Sequence, residues 1–265
     1  MSKQIYLIGD VHGCYDTLIA LIAQLPENAK IIFCGDLIDR GPKSKQVINF
    51  VRENGYYCVI GNHEDMMIQF CESSYNSSYW FKNGGRACFD NYDNDDELMS
   101  DVQWIKNLPR LIILNDCVDK MGRSLVVSHA PVVDYLDYYL HIREKIENNE
   151  YTEHELIEFE HTIANSEELM IWNRNIPKKE NTKYFNVFGH TPIDSFIFDK
   201  DRNYTIDPKN ITESGIVVDI LKGYANIDTG ACYKSDCYSK YRGRLTALEF
   251  QSMKVFQQEN IDVYE

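Results

Sequence analysis

Long apolar runs are missing from this 265-residue chain. No stretch approaches the roughly 20 consecutive apolar residues of a membrane span, and no basic N-terminal segment leads into an apolar core, so neither a spanning helix nor a secretory leader is expected. Positive charge is scarce as well: 27 Lys and Arg stand against 41 Asp and Glu, a formal net charge of −14. Such a surface repels phosphate backbones, which argues against a nucleic-acid partner; a polyanionic ligand needs a local basic or metal-bearing site. The eight cysteines include no C-x-x-C pair, and Cys34 and Cys58 fall in apolar runs, which reads as reduced, buried thiols rather than a disulfide framework. Internal repeats, low-complexity tracts and linkers are absent too, so residues 1–265 read as one domain. The expected setting is cytoplasmic, with no membrane partner; oligomeric state is left open.

What is present is a repeated way of ending a strand. "IYLIGDVHG" at residues 5–13 runs apolar into Gly9, Asp10, His12 and Gly13. "KIIFCGDLIDRGP" at 30–42 does the same with Gly35 and Asp36, then adds Asp39 and Arg40, and "YYCVIGNHED" at 56–65 finishes in Gly61, Asn62, His63 and Glu64. Turn geometry alone asks for Gly, Asn or Asp at such ends and gives no reason for His12, Arg40 and His63. Between these strands the spacing predicts helices: one over 17–25 with Leu18, Leu21, Ile22 and Leu25 on one face and Asp16 as its N-cap, another opening at Pro42 with Val47, Phe50 and Val51 inward. Strand–helix–strand alternation predicts parallel pairing with ligands at the carboxyl ends of the strands, where all three motifs lie.

Further along, residues 72–107 are polar and read as a loop-rich surface excursion, with Gly84 and Gly85 marking a tight turn. Trp80, Asn83 and that Gly pair either line a groove or merely pack, and the acidic run 93–97 reads as a solvated loop. "LIILND" and "SLVVSHAP" read as strands, the second ending at His129. Residues 134–172 are helical in character and read as an inserted cap, with His141, His154 and His161 solvated. "YFNVFGHTP" ends at Gly189 and His190, Asp228 reads as support for a turn below the site, and "RLTALEF" reads as the last strand.

Asp10, His12, Asp36, Asn62, His129 and His190 thus form a candidate ligand set. Mixed carboxylate, imidazole and amide donors suit divalent manganese, iron or zinc, and six groups exceed what one ion needs when water must also bind. Two ions sharing a bridging carboxylate use them all.

In order and spacing, "GDVHG", "GDLIDRG", "GNHE", "SHA" and "GH" resemble the PPP-type serine/threonine phosphatases of the calcineurin-like metallophosphoesterase superfamily. "NGG", "IWNR" and "IDTGA" are similar to the compact bacterial and phage lambda phosphatase-like branch. The resemblance spans residues 8 to about 232. It implies an α/β sandwich of two mixed sheets flanked by helices, and two divalent ions, manganese expected. Asp10 and His12 would hold the first ion, Asp36 would bridge, and Asn62, His129 and His190 would hold the second, with a bridging hydroxide attacking phosphorus in line. His63 would be the general acid, oriented by Asp39, with Arg40 gripping the phosphoryl oxygens and Asn62 and Arg174 assisting. The implied substrate is a phosphoprotein or phosphopeptide carrying phosphoserine or phosphothreonine, with phosphotyrosine and small phosphoesters as extensions. A symmetrical diadenosine tetraphosphatase is the alternative; those enzymes typically lack the Asp39 equivalent and carry Asp where this chain has Glu64. A non-catalytic phosphopeptide-binding relative is the remaining reading, against which the complete residue set argues.

Overall fold

The apolar runs stack as two five-stranded sheets in the computed structural model, which describes residues 4–72, 77–193, 208–233 and 243–264. The chain opens with β1 (Ile5–Ile8), α1 (Tyr15–Ile22), β2 (Lys30–Phe33), α2 (Ser44–Glu53), β3 (Tyr57–Cys58) and α3 (Asn62–Glu72). Short helices α4 (Ser77–Trp80) and α5 (Arg86–Phe89) flank a π-turn at Phe81–Gly85 and precede α6 (Asp95–Ile105). The second sheet draws on β4 (Leu111–Val118) and β5 (Ser124–Ser128), then, beyond helices α7 (Leu136–Glu147) and α8 (Glu153–Trp172), on β6 (Tyr184–Phe188), β7 (Val217–Asp219) and β8 (Tyr224–Asn226). β9 (Arg244–Glu249) and β10 (Lys254–Glu259) return to the first.

The first sheet runs β10-β9-β1-β2-β3 and the second β4-β5-β6-β8-β7. β1, β2 and β3 pair in parallel, as the strand–helix alternation predicts, while β9 joins β1 antiparallel. Period-2 alternation divides each strand between two cores. Leu7, Ile32 and Val59 meet Leu125, Val127, Phe185 and Val187 between the sheets, whereas Tyr6, Ile8 and Phe33 face the α1, α2 and α3 layer with Leu18, Val47 and Met66. Val126 faces the other way from Val127, onto Leu136, Tyr139 and Met170 of α7 and α8. The helical segment read as a cap therefore packs along the outer face of the second sheet, and its three histidines, His141, His154 and His161, are exposed. The result is helices, sheet, sheet, helices, the α/β sandwich expected.

Five local expectations need correction. Residues 77–105 are largely helical rather than loop, because Trp80, Cys88, Leu98, Val102 and Ile105 are buried against the first sheet's helices. The acidic run is the start of α6: the Asn94 side chain accepts from the Glu97 backbone N–H at 3.0 Å, and Asp95, Asp96 and Glu97 complement the helix dipole. "RLTALEF" is followed by one more strand, β10, paired antiparallel to it. Finally, Asp16 lies inside α1, whose first N–H groups from Asp16 and Thr17 are capped at 3.0 and 3.1 Å by the Asp262 carboxylate, and α2 opens at Ser44, two residues beyond Pro42. The seven cysteines among the described residues are all free thiols; Cys237 lies outside them.

Candidate metal centre

Every strand that ends in a motif ends at the same edge of the sandwich. β1 delivers Asp10 and His12, β2 delivers Asp36, and β3 runs into Asn62 and His63 at the start of α3. β5 and β6 deliver His129 and His190 from the facing sheet. All seven side chains are buried, His190 most exposed at 6%. Holding them there forces the backbone: of seven non-glycine residues with positive φ among the described residues, five are His12, Asp36, Asp39, Arg40 and His190. Such conformations cost about 1–3 kcal/mol each and cluster where side chains must be aimed. A Cβ at Gly61 would sit 2.2 Å from Asp36 Oδ1, and one at Gly189 would sit 1.9 Å from Asp10 Oδ1. The glycines preceding Asn62 and His190 therefore make room for the carboxylates.

Two donor sets share Asp36. His129 Nε2, Asn62 Oδ1 and His190 Nδ1 lie 2.8–3.1 Å from one another, with Asp36 Oδ1 3.4 Å from His129 Nε2. On the other side His12 Nε2 is 3.6 Å from Asp36 Oδ2 and 4.0 Å from Asp10 Oδ2. The tautomers suit metal ligation. His12 Nδ1–H donates to the Ile38 carbonyl at 2.9 Å and His129 Nδ1–H to the Cys34 carbonyl at 2.8 Å, which turns each Nε2 lone pair toward the cluster, that of His12 meeting an Arg40 N–H there. Burial keeps all three imidazoles neutral, His129 lowered to about 4 and His12 and His190 well below the usual histidine range. Burial also raises the carboxyls, Asp10 well above the usual range with Asp228 and Asp36 adding repulsion, and Asp36 to about 7 with Arg40 opposing. Neutral imidazoles and crowded buried carboxylates are a donor set that divalent cations fit.

His63 faces the cluster differently. Its Nδ1–H donates to Asp39 Oδ2 at 2.6 Å, and its Nε2 receives Arg40 Nη2–H at 2.9 Å. The second arm of the Arg40 fork reaches His12 Nε2. His12, Asp36 and His63 also offer donors within 4.8 Å of one another, and because Arg40 stands against both imidazoles, a cation held by His12 would displace that arm of the fork. Arg174 follows α8 and donates to Thr191 Oγ1 at 2.9 Å, beside His190, while Trp172 lies edge-on to the His190 ring at 6.4 Å. Each sequence-predicted site residue is thus brought to one edge of the sandwich.

Sequence reading missed two roles. Glu64, noted only as a family marker, is fully buried and accepts from the backbone N–H groups of Asp36, Leu37 and Gly61 at 2.9, 2.7 and 2.8 Å. It ties the β2 turn to the β3 turn and so sets the bridging carboxylate. The available signal was an acid three residues after a strand-end glycine with no cation beside it. Asp228 does support its turn, accepting from Gly230 N–H at 2.9 Å, but its charge also bears on Asp10, whose carboxyl it helps to raise. Asn83 is bonded to the Tyr79 carbonyl rather than aimed at the site.

A family model described as calcineurin-like phosphoesterase matches residues 3–224. Over 142 residues the chain is 31% identical to serine/threonine-protein phosphatase 2 of Salmonella typhimurium, covering 52% of this chain and 61% of that one. Over 138 residues it is 34% identical to the symmetrical bis(5'-nucleosyl)-tetraphosphatase of Klebsiella pneumoniae, covering 50% and 44%. The matches thus span about half the length of these relatives. A solved protein serine/threonine phosphatase from Saccharomyces cerevisiae shares the fold at a TM-score of 0.56 and 13% identity, covering 100% of this chain and 82% of that one.

Proposed function

Since the chain belongs to the calcineurin-like phosphoesterase family, we propose that it is a metal-dependent phosphomonoesterase acting on phosphoserine and phosphothreonine, and more broadly on phosphotyrosine and small phosphoesters. The observation that carries this reading is the buried pair of His63 and Asp39, joined at 2.6 Å. A serine or threonine alkoxide is a poor leaving group and needs a proton as the P–O bond breaks, which is the work of an imidazole whose far nitrogen is held by a carboxylate. Asp10, His12 and Asp36 would hold one divalent ion and Asp36, Asn62, His129 and His190 the other. When bound, the ions supply a water of lowered pKa and charge to offset the phosphoryl oxygens. Arg40 spans His12 and His63, placing a planar fork where two phosphoryl oxygens can be held. Manganese is the metal expected, and iron or zinc suits the same donors.

The second reading, a symmetrical dinucleoside tetraphosphate hydrolase, is favoured by the 34% identity to the Klebsiella enzyme. There the leaving group is itself a phosphate, which departs without a donated proton. Product formation with manganese separates the two, reading inorganic phosphate from a phosphothreonine peptide against ADP from diadenosine tetraphosphate, with a chelated control and His63→Asn. Peptide turnover that disappears on chelation and falls by about 10²–10⁴ in the variant supports the first reading; preferential cleavage of the dinucleotide overturns it in favour of the second.

A further inference from the structure

Resting on the reading of His63 as proton donor, we propose that Trp80 is a positioning residue for that step: its indole N–H fixes the Asp39 carboxylate that aims His63. Trp80 Nε1–H donates to Asp39 Oδ2 at 2.8 Å and to Oδ1 at 3.1 Å. Oδ2 is also the oxygen that receives His63 Nδ1–H. Asp39 is fully buried, and among the described residues these are its only side-chain donors. Without Trp80, Oδ1 would have none. An anion stripped of a donor in a dry site rotates or takes up a proton, and either change releases the imidazole.

The surroundings fix the indole in turn. Its ring is 1% exposed and packs at 4.9 Å on Phe70 and 5.6 Å on Phe81, with Phe89 closing the cluster against both. A Cβ at Gly85 would fall 2.4 Å from Trp80 Nε1, and one at Gly84 2.6 Å from Arg40 Cγ. The Gly84 carbonyl accepts the Arg40 N–H at 3.1 Å. The π-turn at Phe81–Gly85 therefore nests against both the acid pair and the phosphate-facing arginine. Trp80 does not touch the reacting atoms; it acts through Asp39, whose own N–H is held by Ser44 Oγ at 3.0 Å. In the step it supports, a proton taken up at His63 Nε2, where Arg40 now donates, passes to the alkoxide oxygen as the P–O bond breaks, leaving the neutral imidazole with its Nδ1–H on Asp39.

A purely packing tryptophan would slow every substrate alike, so leaving group is the readout. Wild type, Trp80→Phe, Asp39→Asn and the double variant are assayed with manganese on a phosphoserine peptide and on p-nitrophenyl phosphate, whose phenolate leaves without a proton. Trp80→Phe is expected to lose about tenfold in kcat on the peptide, part of the roughly 10²–10⁴-fold a general acid supplies, with a loss at least about fivefold smaller on the nitrophenyl ester. Asp39→Asn should make the second substitution almost silent. Equal losses on both esters, or additive losses, overturn the proposal. If Trp80→Phe does not fold, 3-benzothienylalanine at position 80 keeps the ring size without the N–H and is read the same way. A wild type inactive on both esters defeats the phosphomonoesterase reading instead. Even then the downfield Nδ1 proton of His63, identified by its loss in Asp39→Asn, decides for Trp80: a shift in Trp80→Phe supports the contact and an unchanged position overturns it.

Discussion

Asp36 is where both donor sets meet, and its surroundings make metal binding a pH-dependent event. Burial raises its carboxyl to about 7 despite Arg40 nearby, so below that pH an incoming ion must displace a proton from Asp36, and Asp10, raised well above the usual carboxyl range, adds to the proton competition. Manganese affinity of the chelator-stripped protein should therefore rise with pH through about 7. Calorimetry at pH 6 in buffers of different ionisation enthalpy should read protons released as the ions bind; an affinity flat from pH 6 to 8 contradicts this. His129, lowered to about 4, adds no proton in that window. Arg40 offers a second residue-scale test. Its two arms reach His12 and His63, a span that an ammonium cannot reproduce, so Arg40→Lys should cost about 10²-fold in kcat/KM while melting is unchanged. A loss under about threefold would remove the fork from the account.

Elements explain which parts of this were readable. The strand-end motifs were legible because each puts the same residue types, glycine with a carboxylate, amide or imidazole, after an apolar run, and parallel pairing forces those ends together. Helices α4 to α6 were not, because their residues look polar in sequence and only contact with Phe70, Met66 and the α2 face shows which aromatics are inward. The cap of α1 was invisible for a different reason: it comes from Asp262, 246 residues away from Asp16. Asp262 also receives Thr17 Oγ1–H at 2.6 Å, and Asn260 and Tyr264 hold the Ala231 and Cys232 carbonyls at 2.7 and 3.1 Å. The tail thus fastens α1 to the turn after Asp228. Asp262→Ala should destabilise the fold by about 0.5–2 kcal/mol in urea unfolding, with the Asp16 and Thr17 amides gaining hydrogen exchange first; unchanged exchange there would show that the tail carries no capping role.

For the whole molecule, the decisive property is that two sheets contribute to one centre. Asp10, His12, Asp36 and Asn62 come from one sheet's edge, His129 and His190 from the other, so ions binding between them would hold the sandwich closed as well as serve the proposed reaction. Loading should consequently raise the melting temperature, each site adding about 2.7 kcal/mol of stability at a metal concentration 100 times its Kd. The broad acidic surface, −14 overall, concentrates recognition of a phosphoryl group on the few arginines and the ions at this edge.

The most direct measurement titrates manganese into chelator-stripped protein while following bound metal, melting temperature and phosphate release together. The account predicts turnover that saturates with two ions per chain and rises in step with the melting temperature, while His63→Asn binds the same two ions and stays nearly inactive. Turnover that persists with no bound metal, or saturation at two ions without any phosphoester hydrolysis, would contradict it.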